Sequence, residues 1–140
     1  LPPYPGSLDL RQIAGVEEVA TLLKHAPGWL LDARAPERFS GEVEPLDPVA
    51  GHVPGAVNRP FALNVADGRM RPAGELRAEL QAAIGGTAPD RVVVMCGSGV
   101  TACHLLLALE HVGLHGARVY ADSWSGWISD ASRPVARASA

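Results

Sequence analysis

The stretch Val92-Val93-Val94-Met95-Cys96-Gly97-Ser98-Gly99-Val100-Thr101-Ala102 constrains the fold of this chain more than any other. Three consecutive β-branched residues followed by Met95 form a continuous apolar run, which suits a strand buried on both faces. Two glycines within three residues then turn the chain, and Leu and Ala predominate from Thr101 to Val112 before Gly113, which predicts a helix. A buried strand that feeds a helix through a tight turn is the repeating step of a parallel sheet covered by helices.

The remaining pattern agrees. Apolar residues at Val16, Val19, Ala20, Leu22 and Leu23 predict a helix over Val16 to Ala26, closed by Pro27-Gly28. Trp29-Leu30-Leu31 predicts a short buried strand ending at Asp32, with Asp32 and Arg34 at an edge of the sheet. The stretch from Gly41 to Asn58 holds Pro45, Pro48, Pro54, Gly51 and Gly55 and predicts a long loop before Ala56-Val57, a length that favours a functional segment. Leu76, Leu80 and Ile84 share one helical face over Ala73 to Ile84, and Ala117 to Ala121 predicts one more strand. Strands alternating with helices define an α/β fold, a parallel sheet flanked by helices on both faces, with function expected at the carboxyl ends of the strands.

Size and charge narrow the function. At 140 residues and 47% hydrophobic content the chain matches one domain, read as residues 11–140, preceded at 1–10 by a Pro-rich connector beginning Leu-Pro-Pro-Tyr-Pro-Gly. Twelve Lys and Arg against fifteen Asp and Glu, with no basic run, exclude a nucleic-acid surface. The longest apolar runs fall far short of the roughly 20 residues a membrane span requires. Cys96 and Cys103, seven positions apart across a turn and a helix, lie about 10 Å apart along the axis, too far for a disulfide with each other. Unpaired cysteines point to a reducing compartment, the cytoplasm.

Cys96 stands where the sheet opens. Gly97 and Gly99 permit backbone angles that other residues resist, so that successive N–H groups converge above the sulfur. The positive end of the following helix adds to that field, and both lower a thiol's pKa toward a nucleophilic thiolate. The same donors suit the terminal sulfur of a persulfide, and the chemistry requires neither a metal nor an organic cofactor. The plainer reading of Cys96 is a small buried hydrophobe; Cys103, inside the Leu-rich helix with no turn or charge beside it, is read as packing. Two other anion loops fail on residue type. A phosphate-binding P-loop ends in Gly-Lys-Ser or Gly-Lys-Thr, and this loop has no Lys. A cysteine phosphatase clamps its phosphoryl group with an arginine six positions after the nucleophile, and Ala102 stands there.

Cys96 to Thr101 resembles the six-residue active-site loop of rhodanese-like sulfurtransferases, in the form found in the catalytic C-terminal domain of mercaptopyruvate and thiosulfate sulfurtransferases. Asp32-Ala33-Arg34, Arg38-Phe39, Glu44-Pro45, Gly51-His52-Val53-Pro54-Gly55-Ala56-Val57-Asn58 and Ser123-Trp124-Ser125-x-Trp127 match the same family in order, over residues 29 to 135. The resemblance implies a rhodanese-like α/β domain in which Cys96 cycles between thiol and persulfide and Gly97, Ser98, Gly99, Val100 and Thr101 form the cradle. It also implies that Arg38 binds the donor's anionic group, that the partners are a small sulfur donor and a thiophilic acceptor (cyanide, a thiol or a protein), and that an N-terminal rhodanese-like domain completes the enzyme. Ser98 could polarise or protonate the donor with partners from that other domain. His52 is read as structural, its imidazole bonding backbone groups in a Gly-His-x-Pro-Gly turn. Asp32 with Arg34 is read as an ion pair fixing the adjacent loop, and Trp124 and Trp127 as a packed wall.

The chain departs from the family pattern at three places. Leu46 stands where mercaptopyruvate enzymes carry a second arginine after Glu-Pro. Gly97 and Ser98 are neutral where thiosulfate-using members carry Arg then Lys. Ala121-Asp122 replaces Asp-Gly before Ser123-Trp124. The balance favours mercaptopyruvate narrowly over thiosulfate; a non-catalytic interaction module and a redox-sensing thiol are the readings from other classes.

Overall fold

The structure is a computed structural model that describes residues 2–25 and 27–138. Four short parallel strands form the main sheet: β1 (Leu30–Asp32), β2 (Val57–Asn58), β5 (Val93–Met95) and β6 (Arg118–Val119), in the order β2-β1-β5-β6. Leu31 pairs with both Val57 and Val94, and Val94 with Val119, so one register runs across the sheet. A separate hairpin pairs β3 (Val65–Ala66) with β4 (Arg69–Met70). Its two-residue loop, Asp67-Gly68, takes positive φ at both positions, the primed turn that matches strand twist.

Period-two alternation along β1 and β5 divides the core into two layers. Leu31, Val92, Val94 and Cys96 face α3 (Ala73–Ile84) and α4 (Val100–His111), meeting Leu76, Leu80, Ile84, Leu105 and Leu109. Leu30, Val93 and Met95 face the other way, against Val19 of α1 (Val16–Leu22) and Trp124 and Trp127 of α5 (Ser123–Trp127). The α/β class, the parallel sheet and the helices on both faces are therefore as the sequence predicts.

The differences are local. The first helix ends at Leu22 and passes into a turn; Ala26, expected to be its last residue, lies outside the described residues, as do Leu1 and residues 139–140. The last strand shrinks from Ala117–Ala121 to Arg118–Val119; Tyr120 N–H still bonds the Val94 carbonyl, but its own carbonyl accepts from the Ser123 hydroxyl and the chain turns at Ala121-Asp122. Residues 2–9 carry no regular secondary structure; Asp9 then caps a single 3-10 turn over Leu10–Gln12, and Ile13 bridges to Val119.

Topology places the functional edge. The chain leaves β1 for β2 on one side and reaches β5 on the other, so the connections after β1 and β5 diverge. Ligand sites in open parallel sheets form in the crevice at such a switch point, outside the carboxyl ends of the strands.

Candidate active site

Cys96 follows β5 directly and is 2% exposed, at the base of a cleft of about 320 Å³ that opens at the switch point. Its own N–H donates to Ser123 Oγ at 3.1 Å, and its carbonyl accepts from Trp124 N–H at 3.0 Å, so the backbone at the sulfur is held by the start of α5. Ser123 itself sits at φ 52° and donates to the Tyr120 carbonyl at 2.9 Å.

The sulfur faces a converging set of donors. Gly99 N–H lies 3.1 Å from Cys96 Sγ. Burial pushes the thiol pKa up, but the Thr101 hydroxyl and the N–H groups of Ala102, Ser98 and Gly99 act together against it, and the net effect holds the thiol below its ordinary value. Ala102 was not expected in the cradle. It belongs there because the first turn of α4 leaves its N–H groups free and aims them at the sulfur.

The two glycines serve different purposes, which corrects the sequence reading. Gly99, the N-cap of α4, takes φ 90°, and a Cβ there would lie 2.5 Å from the Ala121 carbonyl oxygen. Gly97 has no positive φ; a Cβ there would stand 3.4 Å from two nitrogens of the Arg38 guanidinium. Gly99 therefore shapes the nest, whereas Gly97 leaves room beside an arginine. Val100 lines the cleft mouth with a largely exposed side chain, and Ser98 lines its wall.

Arg38 comes from α2 (Pro36–Ser40), a helix too short to show periodicity. Pro36 starts it with a preset φ, and Gly41 ends it at φ 83°. Glu44, only 3% exposed at its side chain, grips Arg38 through Nε (3.1 and 3.2 Å) and Nη2 (2.7 Å). Arg38 Nη1 makes no hydrogen bond among the described residues and lies beside Gly97, so this nitrogen is the donor left for a ligand.

Behind this wall lies a buried ionic chain. Arg34, 3% exposed, pairs with the fully buried Asp32 at 2.8 Å, reaches the Gly51 carbonyl at 2.8 Å and Glu44 at 3.5 Å, and lies 4.7 Å over the Trp124 ring. Burial pushes the Asp32 carboxyl up against the pull of that guanidinium. Burial likewise raises Glu44, but Arg38 and the N–H groups of Leu46 and Asp47 outweigh it and hold the carboxyl low. His52 Nδ1–H donates to the Phe39 carbonyl at 2.7 Å while the imidazole stacks on the Phe39 ring at 3.8 Å. Burial pushes its pKa down, which keeps it neutral and suited to that structural contact.

Cys96, Gly97, Ser98, Val100, Thr101 and Arg38 thus line one cleft, while Asp32, Arg34 and His52 stand behind it. Besides Ala102, sequence reasoning assigned no role to three other contributors. Glu44, quoted only as part of Glu44-Pro45, holds both arginines; Asp47 and Ser125 line the cleft and are joined by a 2.8 Å hydrogen bond. The position of Asp47 inside a loop already marked as long was the available signal.

Similarity to known proteins is consistent with this arrangement. The Pseudomonas aeruginosa protein named "Probable 3-mercaptopyruvate sulfurtransferase" is 55% identical over 108 residues, 76% of this chain and 38% of that protein. The "Putative thiosulfate sulfurtransferase SseB" of Mycobacterium tuberculosis is 49% identical over 79% of this chain and 39% of its own length. The 3-mercaptopyruvate sulfurtransferase of Escherichia coli is 38% identical over 94% of this chain and 47% of its own length. The chain therefore spans less than half the length of these relatives. Among solved structures, Tum1 of Saccharomyces cerevisiae superposes with a TM-score of 0.72 at 27% identity, covering 91% of this chain and 47% of that one. Wild-type EanB shares the fold with a TM-score of 0.78 at 18% identity, over 93% of this chain and 32% of its own. With residues 15–130 matched by the model of the rhodanese-like domain, the chain belongs to the rhodanese-like domain family.

Proposed function

We propose that this domain is a sulfurtransferase in which Cys96 carries sulfur as a persulfide. The observation that carries the reading is the convergence of the Thr101 hydroxyl and three backbone N–H groups on a thiol at the base of a cleft, with Arg38 Nη1 free on its wall. The names of the relatives support the same chemistry.

With mercaptopyruvate as donor, the Cys96 thiolate attacks the donor sulfur. The S–S bond forms as the C–S bond breaks, and the electron pair of that bond leaves on the enolate of pyruvate. The thiol proton of the donor ends on that carbon, leaving pyruvate and a persulfide anion. The N–H groups around the thiolate are then the donors available to the negative terminal sulfur. Attack by an acceptor such as cyanide on that terminal sulfur gives thiocyanate and restores the thiolate, a double displacement. Arg38 lines the cleft and its Nη1, which makes no hydrogen bond among the described residues, suits the donor's carboxylate.

Mercaptopyruvate is favoured narrowly over thiosulfate because Gly97 and Ser98 add no charge to the loop and Arg38 is, among the described residues, the one cation lining the cleft. Exposed Leu46 and Val100 at the mouth suit contact with the second rhodanese-like domain that the resemblance implies. Among the described residues no helix is long and apolar enough to cross a membrane; the reactive thiolate fits a reducing compartment such as the cytoplasm.

The test is steady-state production of thiocyanate from cyanide with each donor. The reading predicts turnover with both, a higher kcat/KM for mercaptopyruvate, and parallel initial-rate lines when donor and acceptor are varied together. Intersecting lines, or turnover that survives Cys96→Ser, would overturn it.

A further inference from the structure

The geometry points to Asp47 as the residue that limits how much negative charge a sulfur donor can carry into the cleft. This rests on the reading of the cleft as the donor site.

Three observations place the carboxylate there. Asp47 lines the cleft with Arg38 and Cys96, and its side chain is 13% exposed. Its position is fixed from two sides. The backbone N–H donates to Glu44 at 3.2 Å, and Oδ1 accepts from the Ser125 hydroxyl at 2.8 Å. The Ser125 hydroxyl also lies 3.0 Å from the Gly97 carbonyl, but that carbonyl already accepts from Ser125 N–H at 3.0 Å, and the single hydroxyl proton favours the shorter, charge-assisted contact with Asp47. The other oxygen, Oδ2, stands 3.4 Å from Arg38 Nη2.

The consequence is a matter of charge. Asp32, Arg34, Glu44, Arg38 and Asp47 form a connected run with three carboxylates to two guanidiniums, ending at the cleft. Glu44, beneath Arg38, already neutralises it in part; Asp47 adds a second carboxylate beside the same guanidinium, and the Cys96 thiolate lies below. An arriving dianion meets a wall whose cation, Arg38, is countered, while a monoanion meets half that repulsion. Coulomb energy is linear in ligand charge, so removing the Asp47 charge changes the affinity for a dianion by the square of the factor for a monoanion. Leu46, the neutral neighbour at the mouth, offers no compensating charge.

The experiment measures binding in a protein that cannot transfer sulfur. Cys96→Ser, alone and combined with Asp47→Asn, is titrated calorimetrically with thiosulfate, a dianion, and with pyruvate, a monoanion. Asparagine keeps the acceptor for Ser125 and removes only the charge. The expected result is tighter binding by about threefold for pyruvate and on the order of tenfold for thiosulfate, for a screened charge at this separation. Both factors shrink as salt is raised. Asp47→Glu in the same background keeps the parent's ratio of affinities. Equal factors for the two anions, no change in either, or no binding of either to any variant would overturn the inference. The wild-type transfer assay reports separately on Cys96, so failure of the charge rule leaves the sulfur-carrier reading standing, and absence of transfer overturns that reading without altering the titration.

Discussion

At Cys96 the donors and the burial act in opposite directions, and the donors prevail. Alkylation of Cys96 by iodoacetamide should therefore reach half its plateau rate at a pH below that of an ordinary thiol. Thr101→Val, which deletes the hydroxyl donor while keeping the shape, should move the midpoint upward; an unmoved midpoint would remove Thr101 from the nest. Gly99 is bound by its own geometry. Alanine there combines a left-handed φ with a Cβ against the Ala121 carbonyl, so Gly99→Ala should cost about 1–3 kcal/mol, read as a lower denaturant midpoint. Gly97→Ala is a different experiment, because its backbone is unstrained and its Cβ would press on Arg38: weaker donor binding is expected, with stability nearly unchanged. Much of this was legible in the sequence. A cysteine after a buried run and before a Gly-x-Gly helix start announces an anion nest, but which donors reach the sulfur depends on the first turn of α4, and spacing alone does not give that.

Elements long enough to show periodicity, α3 and α4, have the bounds expected to within a residue, and the apolar run at β5 supplies a central strand. The short elements were not read: α2 and α5 have five residues each, and the hairpin strands have two. Five residues make little more than one helical turn and carry no repeat. The Asp67-Gly68 turn did carry a hairpin signal, but its flanking strands are too short to alternate. These short elements matter because α2 supplies Arg38 and the loop after it supplies Glu44 and Asp47. The buried pair behind them keeps that loop in place, since Arg34 bonds the Gly51 carbonyl as well as Asp32. Arg34→Gln would leave a fully buried carboxylate without its cation and should cost about 3–5 kcal/mol of stability by chemical denaturation. A cost under 1 kcal/mol would mean that water or a rearranged loop replaces the guanidinium.

Across the whole molecule, the site is assembled from segments distant in sequence: the turn after β5, the helix after β1, the long loop after α2, and the start of α5. A parallel sheet with a switch point between β1 and β5 brings them together, which explains why the family pattern is scattered along the chain yet describes one cleft. Another long-range tie lies beyond the hairpin, where Glu79 on α3 binds Arg71 and buried Arg59. Arg71 first, then Arg59, pull the Glu79 carboxyl down to about 2. A depressed carboxylate adds stability above its unfolded value near 4.5 and loses it as pH falls through about 2. The difference in stability between wild type and Glu79→Gln should therefore be full at neutral pH and narrow steadily below pH about 4.5; a difference independent of pH would assign the role of Glu79 to packing. The central claim is that Cys96 holds the transferred sulfur, and intact-mass spectrometry of the protein after exposure to mercaptopyruvate tests it most directly. The account predicts a gain of one sulfur atom, lost on adding cyanide and absent in Cys96→Ser. No gain in wild type, or an equal gain in the Cys96→Ser protein, would contradict it.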